Sequence, residues 1–165
     1  MNQMNAKEWI DQLQLLPHPE GGYFKETYRS KEAAAFEGFI GERSISTAIH
    51  FLLEGKDKSH FHRIQSDELW FFHEGSALEI FVLREEKIEM ITLGKNINES
   101  EQLQAIIPSG VWFGARIKDQ VGYALVSCTV APGFDFNDFE LGKKKELIKL
   151  FPQHIKIIEE LGYVD

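Results

Sequence analysis

The densest set of groups that could do chemistry lies between Gly55 and Gly75, in the run GKDKSHFHRIQSDELWFFHEG. It holds His60, His62, Asp67, Glu68 and His73. His60 and His62 are two residues apart. On a strand, alternate side chains share a face, so both imidazoles are expected to point the same way, with Cα atoms ~7 Å apart. Together with Glu68 they would make a metal set of two histidines and one carboxylate, leaving positions open for water or substrate. Such a set suits divalent Fe, Mn, Ni or Zn. A polar break, Gln65-Ser66-Asp67, separates His62 from Glu68, and Asp67 could fill the carboxylate slot instead.

Aligning two histidines in this way needs a strand, and the chain supplies many. Residues 23–30 and 46–53 read as strands, followed by 59–64, 68–73, 77–83, 88–93, 103–107, 111–115 and 122–130. Turn residues separate most of them, and no helical pattern intervenes. That spacing predicts an all-β sandwich or barrel. Residues 5–16 read as an amphipathic helix, capped by Asn5 with Glu8 at the capping-box position and ended by Pro17. Residues 143–151 and 152–161 read as two C-terminal helices, the second starting on Pro152. Residues 31–43 could be a surface loop or a hairpin arm. The cluster Pro17-His18-Pro19-Glu20-Gly21-Gly22 is a rigid, irregular turn that could form a pocket rim. A plain connection is the preferred reading.

Length and charge narrow the rest. A chain of 165 residues makes one domain with a substantial core. With 18 basic and 26 acidic side chains the net charge is −8, which argues against nucleic acid or anionic membrane as the main partner. The single cysteine, Cys128, cannot form an internal disulfide and fits a reducing compartment. It lies in an apolar strand and reads as a buried, inert thiol. The first residues lack the basic start and apolar run of a signal peptide, and no apolar stretch approaches ~18 residues. A cytoplasmic protein is expected. His50 reads as a structural strand residue, His73 as a surface or strand-end one, and His18 and His154 as residues of connections.

A β-barrel pattern carrying Gly55, His60, His62, Glu68 and Gly75 resembles the first motif of the cupin superfamily, with two spacings off by about one residue. Pro108-Ser109-Gly110 resembles the second motif, but Phe113 stands where that motif has a histidine. The match to the "cupin 5" group is closer. It runs through Pro17-His18-Pro19-Glu20-Gly21-Gly22-Tyr23-Phe24, Phe61-His62-Arg63, Ser66-Asp67-Glu68, Trp70, Trp112 to Arg116, Pro132-Gly133-Phe134-Asp135-Phe136 and Phe151-Pro152-Gln153-His154. The resemblance implies a double-stranded β-helix (jelly-roll) barrel over about 22–136, C-terminal helices over about 143–161, a pocket inside, and a homodimer. It implies no known reaction.

Two readings of the pocket follow. In one, His60, His62 and Glu68 hold a divalent metal. Phe113 counts against it, because an apolar ring replaces a donor. In the other, the pocket is metal-free and takes a small organic, carbohydrate-like ligand. This group is also similar to metal-free sugar-nucleotide epimerases of the deoxyrhamnose pathway. That analogy implies His62 as general base, oriented by Asp67 or Glu68, with Tyr28 or Tyr123 as general acid. Catalysis would then fall to His62, Glu68 and Tyr28. Glu20, Glu26, Trp70, Trp112, Phe113 and Tyr123 are the candidate ligand contacts. A non-catalytic storage or scaffold barrel is the third possibility.

Overall fold

The alternating, Val-, Ile- and Phe-rich runs can bury one face each only by closing on one another. In the computed structural model, which describes residues 4–164, they do so as two facing antiparallel sheets. In chain order the strands are β1 (Leu16–Pro17), β2 (Tyr23–Arg29), β3 (Ala33–Ala35), β4 (Glu42–Ser44), β5 (Thr47–Glu54), β6 (Lys58–Arg63) and β7 (Asp67–Gly75). They continue as β8 (Leu78–Leu83), β9 (Ile88–Leu93), β10 (Gln104–Ile107), β11 (Phe113–Ile117), β12 (Tyr123–Ala131) and β13 (Glu140–Leu141). One sheet has the order β1-β2-β5-β12-β7-β10, the other β13-β6-β11-β8-β9, and β3-β4 is a separate hairpin. The segment 31–43, left open by the sequence, is therefore a hairpin arm.

Between the sheets, Phe51, Leu53, Trp70, Ile80, Phe113 and Val126 are among the residues that fill one part of the barrel with an apolar core. Helix α1 (Ala6–Leu13) carries the predicted capping box, with Asn5 and Glu8 bonding each other's backbone N–H. It ends earlier than expected. Gln14 takes a left-handed conformation (φ 55°) and returns its N–H to the helix, which frees Leu16 and Pro17 to pair with β2. Helix α1 covers the outer face of the six-stranded sheet through Leu52, Tyr123 and Leu125. The C-terminal helices α2 (Lys144–Leu150) and α3 (Ile155–Leu161) cover the other sheet through Phe61, Phe81 and Trp112. Strand β11 starts two residues later than the expected 111, because Val111 and Trp112 lie outside the ladder.

One irregularity decides where the histidines point. Phe113 pairs with His62 and Ala115 with Ser59, so Gly114 alone stands opposite both His60 and Phe61. This is a β-bulge, which puts two successive residues on one face. Gly114 makes room for it: a Cβ there would lie 2.9 Å from the Ser59 carbonyl oxygen and 3.1 Å from the Phe61 nitrogen. Ser59 and His62 consequently face the barrel interior, while His60 and Phe61 face the C-terminal helices. No helix among the described residues is long and apolar enough to cross a membrane.

Candidate functional site: a carboxyl–imidazole cluster at the closed end of a barrel cavity

The half of the barrel not filled by core holds a cavity of about 280 Å³. Its walls are largely apolar, with Phe24, Ile49, Phe51, Val130, Phe134 and Phe136 contributing. Its polar groups converge from different elements. His62 comes from β6, Glu68 from β7, Cys128 from β12, and His18 and Glu20 from the loop between β1 and β2.

That loop is not a plain connection. His18 N–H donates to the Gly22 carbonyl and Gly21 N–H to the His18 carbonyl, both at 2.9 Å. The Glu20 carbonyl then accepts the His60 N–H at 2.7 Å, tying the loop to the bulged strand. The seat requires glycine at 21, where φ is +104° and a Cβ would fall 2.0 Å from the Lys58 carbonyl oxygen. Held this way, Glu20 is 6% exposed and its side chain reaches into the barrel.

Hydrogen bonds assign the protons. His62 Nδ1 lies 2.7 Å from the His60 carbonyl oxygen, which can only accept, so Nδ1 carries the hydrogen. His62 Nε2 lies 3.2 Å from Glu20 Oε2. In a neutral imidazole that nitrogen is bare, and at this distance it can accept a hydrogen carried by the Glu20 carboxyl. Glu20 Oε1 accepts the Ser59 hydroxyl at 2.8 Å. His18 Nδ1 accepts the Glu20 N–H at 3.1 Å, which leaves its hydrogen on Nε2. Its ring also packs edge-on against Phe24, with centroids 4.4 Å apart.

The electrostatics agree with neutral groups. Burial pushes the Glu20 carboxyl up to about 8, with the Ser59 hydroxyl opposing the rise. Burial pushes Glu68 up to about 7. His62 opposes this, Glu20 adds to it, and the Cys128 thiol and Trp70 indole pull slightly back. Burial lowers His62 despite Glu68 and the His60 carbonyl, and it lowers His18 to about 3 with His62 assisting. Cys128 is driven well up, chiefly by burial and then by Glu68 and Glu20. Trp70 Nε1 makes no hydrogen bond of ordinary geometry, so its influence on Glu68 is through a loose approach.

Of the residues singled out from the sequence, His62, Glu68, Glu20 and Glu26 line this cavity. Trp70 and Phe113 stand behind it, and the Phe113 ring lies 4.2 Å from that of His62. Four expectations are corrected. His60 turns away through the bulge, its Nδ1 3.1 Å from the Leu161 carbonyl oxygen and its ring beside Tyr163. Tyr28 is 55% exposed and outside the cavity, because a register shift between Glu26 and Tyr28 turns it outward. Trp112 packs under the C-terminal helices with Arg63 over its ring. Tyr123 lies under α1, its hydroxyl accepting Trp9 Nε1–H at 3.0 Å. Asp67, the alternative carboxylate, accepts the Ser109 N–H instead. His18, Ser59 and the aromatic walls were missed. The Pro-flanked His18 and the double glycine were the available signal, and a strand read without its bulge hid Ser59.

The predicted metal set does not fit. His60 is turned out, Phe113 supplies no donor, His62 Nε2 is taken up by Glu20, and His18 Nδ1 by the Glu20 N–H. Among the described residues no group of three or more His, Cys, Asp or Glu side chains is placed to hold a metal ion.

The mouth is built separately. Arg29 grips Glu26 through two bonds of 2.9 and 2.7 Å and donates to the Phe134 carbonyl at 3.0 Å. The rim segment of Phe134, Asp135 and Phe136 is further held by Phe134 N–H to Thr47 Oγ1, and by a buried Arg43–Asp138 pair with two 2.7 Å bonds.

Two facing sheets closing on an interior cavity, with the first-motif histidine inside, define a cupin jelly-roll barrel. The chain belongs to the Cupin_5 family of the cupin superfamily (DUF985), whose model matches residues 7–142. It is 37% identical to a hypothetical protein from Leishmania major, with a TM-score of 0.90 over 97% of this chain and 99% of that one. It is 36% identical to protein SO0799 from Shewanella oneidensis, with a TM-score of 0.89 over 99% of this chain and all of that one (100%). An uncharacterized protein of Saccharomyces cerevisiae, YML079W, is 28% identical over 158 residues, covering 88% of this chain and 79% of the yeast protein. A single-substitution variant of oxalate decarboxylase from Bacillus subtilis, 17% identical with a TM-score of 0.56 over 90% of this chain and 37% of its own, shares the fold alone.

Proposed function

We propose that the barrel binds a small organic molecule and moves a proton on it, in an isomerisation that needs no co-substrate. One observation carries this reading. Two buried carboxyls, Glu20 and Glu68, sit with His62 at the closed end of an aromatic cavity, and their pKa values are raised to about 8 and about 7. Acids and bases tuned close to the working pH are what general acid–base catalysis needs. Glu20 and His62 hold one proton between them, and Glu68 can take one up. Glu20 gives its proton to a ligand oxygen while Glu68 removes one from the neighbouring carbon. The enediol so formed collapses when Glu68 returns its proton to the former carbonyl carbon and Glu20 takes back a proton from the hydroxyl of the neighbouring carbon, which moves the carbonyl by one carbon and restores both side chains. Here Glu20 takes the acid role expected of a tyrosine, and His62 orients it.

The test is proton exchange in D2O. The protein is incubated with a panel of small hydroxy-ketones and aldehydes, and loss of the C–H signal beside the carbonyl is followed by NMR. We expect exchange faster than in buffer for at least one compound, abolished in Glu20→Gln and unchanged by EDTA. Exchange that no panel member shows, or that EDTA removes, contradicts the reading.

A further inference from the structure

The cavity's charges are distributed in a way that selects its ligand. Arg29 is the one cation among the lining residues, and its Nε and one Nη are committed to Glu26 and the Phe134 carbonyl. The two lining imidazoles, His18 and His62, are kept neutral by burial. Arg29 and Glu26 offset one another, which leaves Glu68 and Asp135 in excess on a chain whose net charge is −8. An anionic ligand entering here loses its hydration and meets carboxylates.

Glu68 is the group left without a strong partner. It is 7% exposed and lines the cavity, yet it makes no ion pair among the described residues. Its polar neighbours are the His62 imidazole, which burial keeps neutral, the Glu20 carboxyl, a thiol, Cys128, which is a weak donor, and the Trp70 indole, which makes no bond of ordinary geometry. A buried carboxyl in this position calls for a donor from the ligand, since leaving it unmatched is costly. Around it the phenyl rings and Ile49 offer an apolar enclosure within a cavity of about 280 Å³, which has room for an aromatic ring with a short substituent.

We infer that the cavity takes an uncharged or cationic molecule with an apolar body and an O–H or N–H group, that Glu68 accepts that hydrogen, and that carboxylates and phosphates are excluded. Glu68 is thereby a specificity-determining residue as well as a proton acceptor. The inference rests on the ligand-binding reading above and adds the ligand's class to it. An ammonium would gain further from the aromatic walls, whereas an alcohol would be drawn in by the hydrogen bond alone.

The experiment is calorimetric titration of the full chain, at pH about 8, with four probes of similar size: benzyl alcohol, benzylamine, benzoate and benzyl phosphate. We expect one or both donor probes to bind and both anions to bind about tenfold more weakly or worse. Tighter binding of the amine identifies the cationic form of the ligand class, and tighter binding of the alcohol the neutral one. In Glu68→Gln the ratio of benzyl alcohol to benzoate affinity should fall by about tenfold. If that variant does not fold, the wild-type ratio decides alone. Benzoate or benzyl phosphate binding as tightly as the donor probes overturns the inference while leaving ligand binding intact. A wild-type protein that binds none of the four overturns both.

Discussion

His60 and His62 stand two residues apart on one strand and end in different surroundings. His62 is 2% exposed, meets the Glu20 carboxyl and faces the cavity. His60 is half-buried, bonds the last carbonyl of α3 and faces away from it. A single bulge separates them, and with it a pair spaced to share a metal becomes one cavity-facing imidazole and one structural tie. The site is thus made less by the His-x-His spacing than by the loop that lays Glu20 across the bulge.

The largest expected effect comes from breaking that seat. Gly21→Ala introduces a Cβ at 2.0 Å from the Lys58 carbonyl in a backbone conformation that disfavours it. We expect a loss of about 3 kcal/mol or more in denaturant unfolding, with ligand binding lost as well. Next, His62→Asn should lower the proton-exchange rate by about a hundredfold or more, while His60→Asn changes it little. Equal losses in the two variants would erase the distinction between the two faces of β6.

A pH dependence follows from the same burial. Glu20, raised to about 8 from an ordinary value near 4.5, binds a proton in the folded state that the unfolded chain has already released. Its contribution therefore falls as pH rises between those values, by up to about 1.4 kcal/mol per unit. Glu68 acts in the same direction up to about 7. His18, lowered to about 3 from 6.5, does the opposite below 6.5, where stability is lost as pH falls. Above 6.5 only the carboxyl effects remain among these groups. Urea unfolding between pH about 6.5 and 8.5 should show declining stability in the wild type and a flatter curve in Glu20→Gln. The smallest expected effect is His60→Ala, which removes one partly exposed hydrogen bond and should cost about 1 kcal/mol.

Much of this fold could be read from the chain. The strand pattern, the capping box at Asn5 and Glu8 and the Pro152 start all depend on local periodicity, and they stand in the structure within a few residues. Half of the site was also legible, because His62 and Glu68 are chemically conspicuous. The rest depended on facts that periodicity does not carry. A bulge reverses side-chain direction without a distinctive residue at the bulge itself, and its enabling Gly114 lies on the neighbouring strand. Glu20 sits about forty residues before its partner His62, in a turn whose prolines and glycines fit a connection equally well. Tyr28 and Tyr123 were misplaced because an aromatic side chain on a strand gives no sign of which face it takes.

In the proposed resting state, Glu20 and His62 share one proton as a neutral pair. NMR of protein labelled with 15N in histidine and 13C in glutamate measures this directly at neutral pH. We expect His62 to show a protonated Nδ1 and a bare Nε2, and the Glu20 carboxyl to titrate near 8. An imidazolium at His62, with Glu20 titrating in the ordinary carboxylate range, would contradict the account.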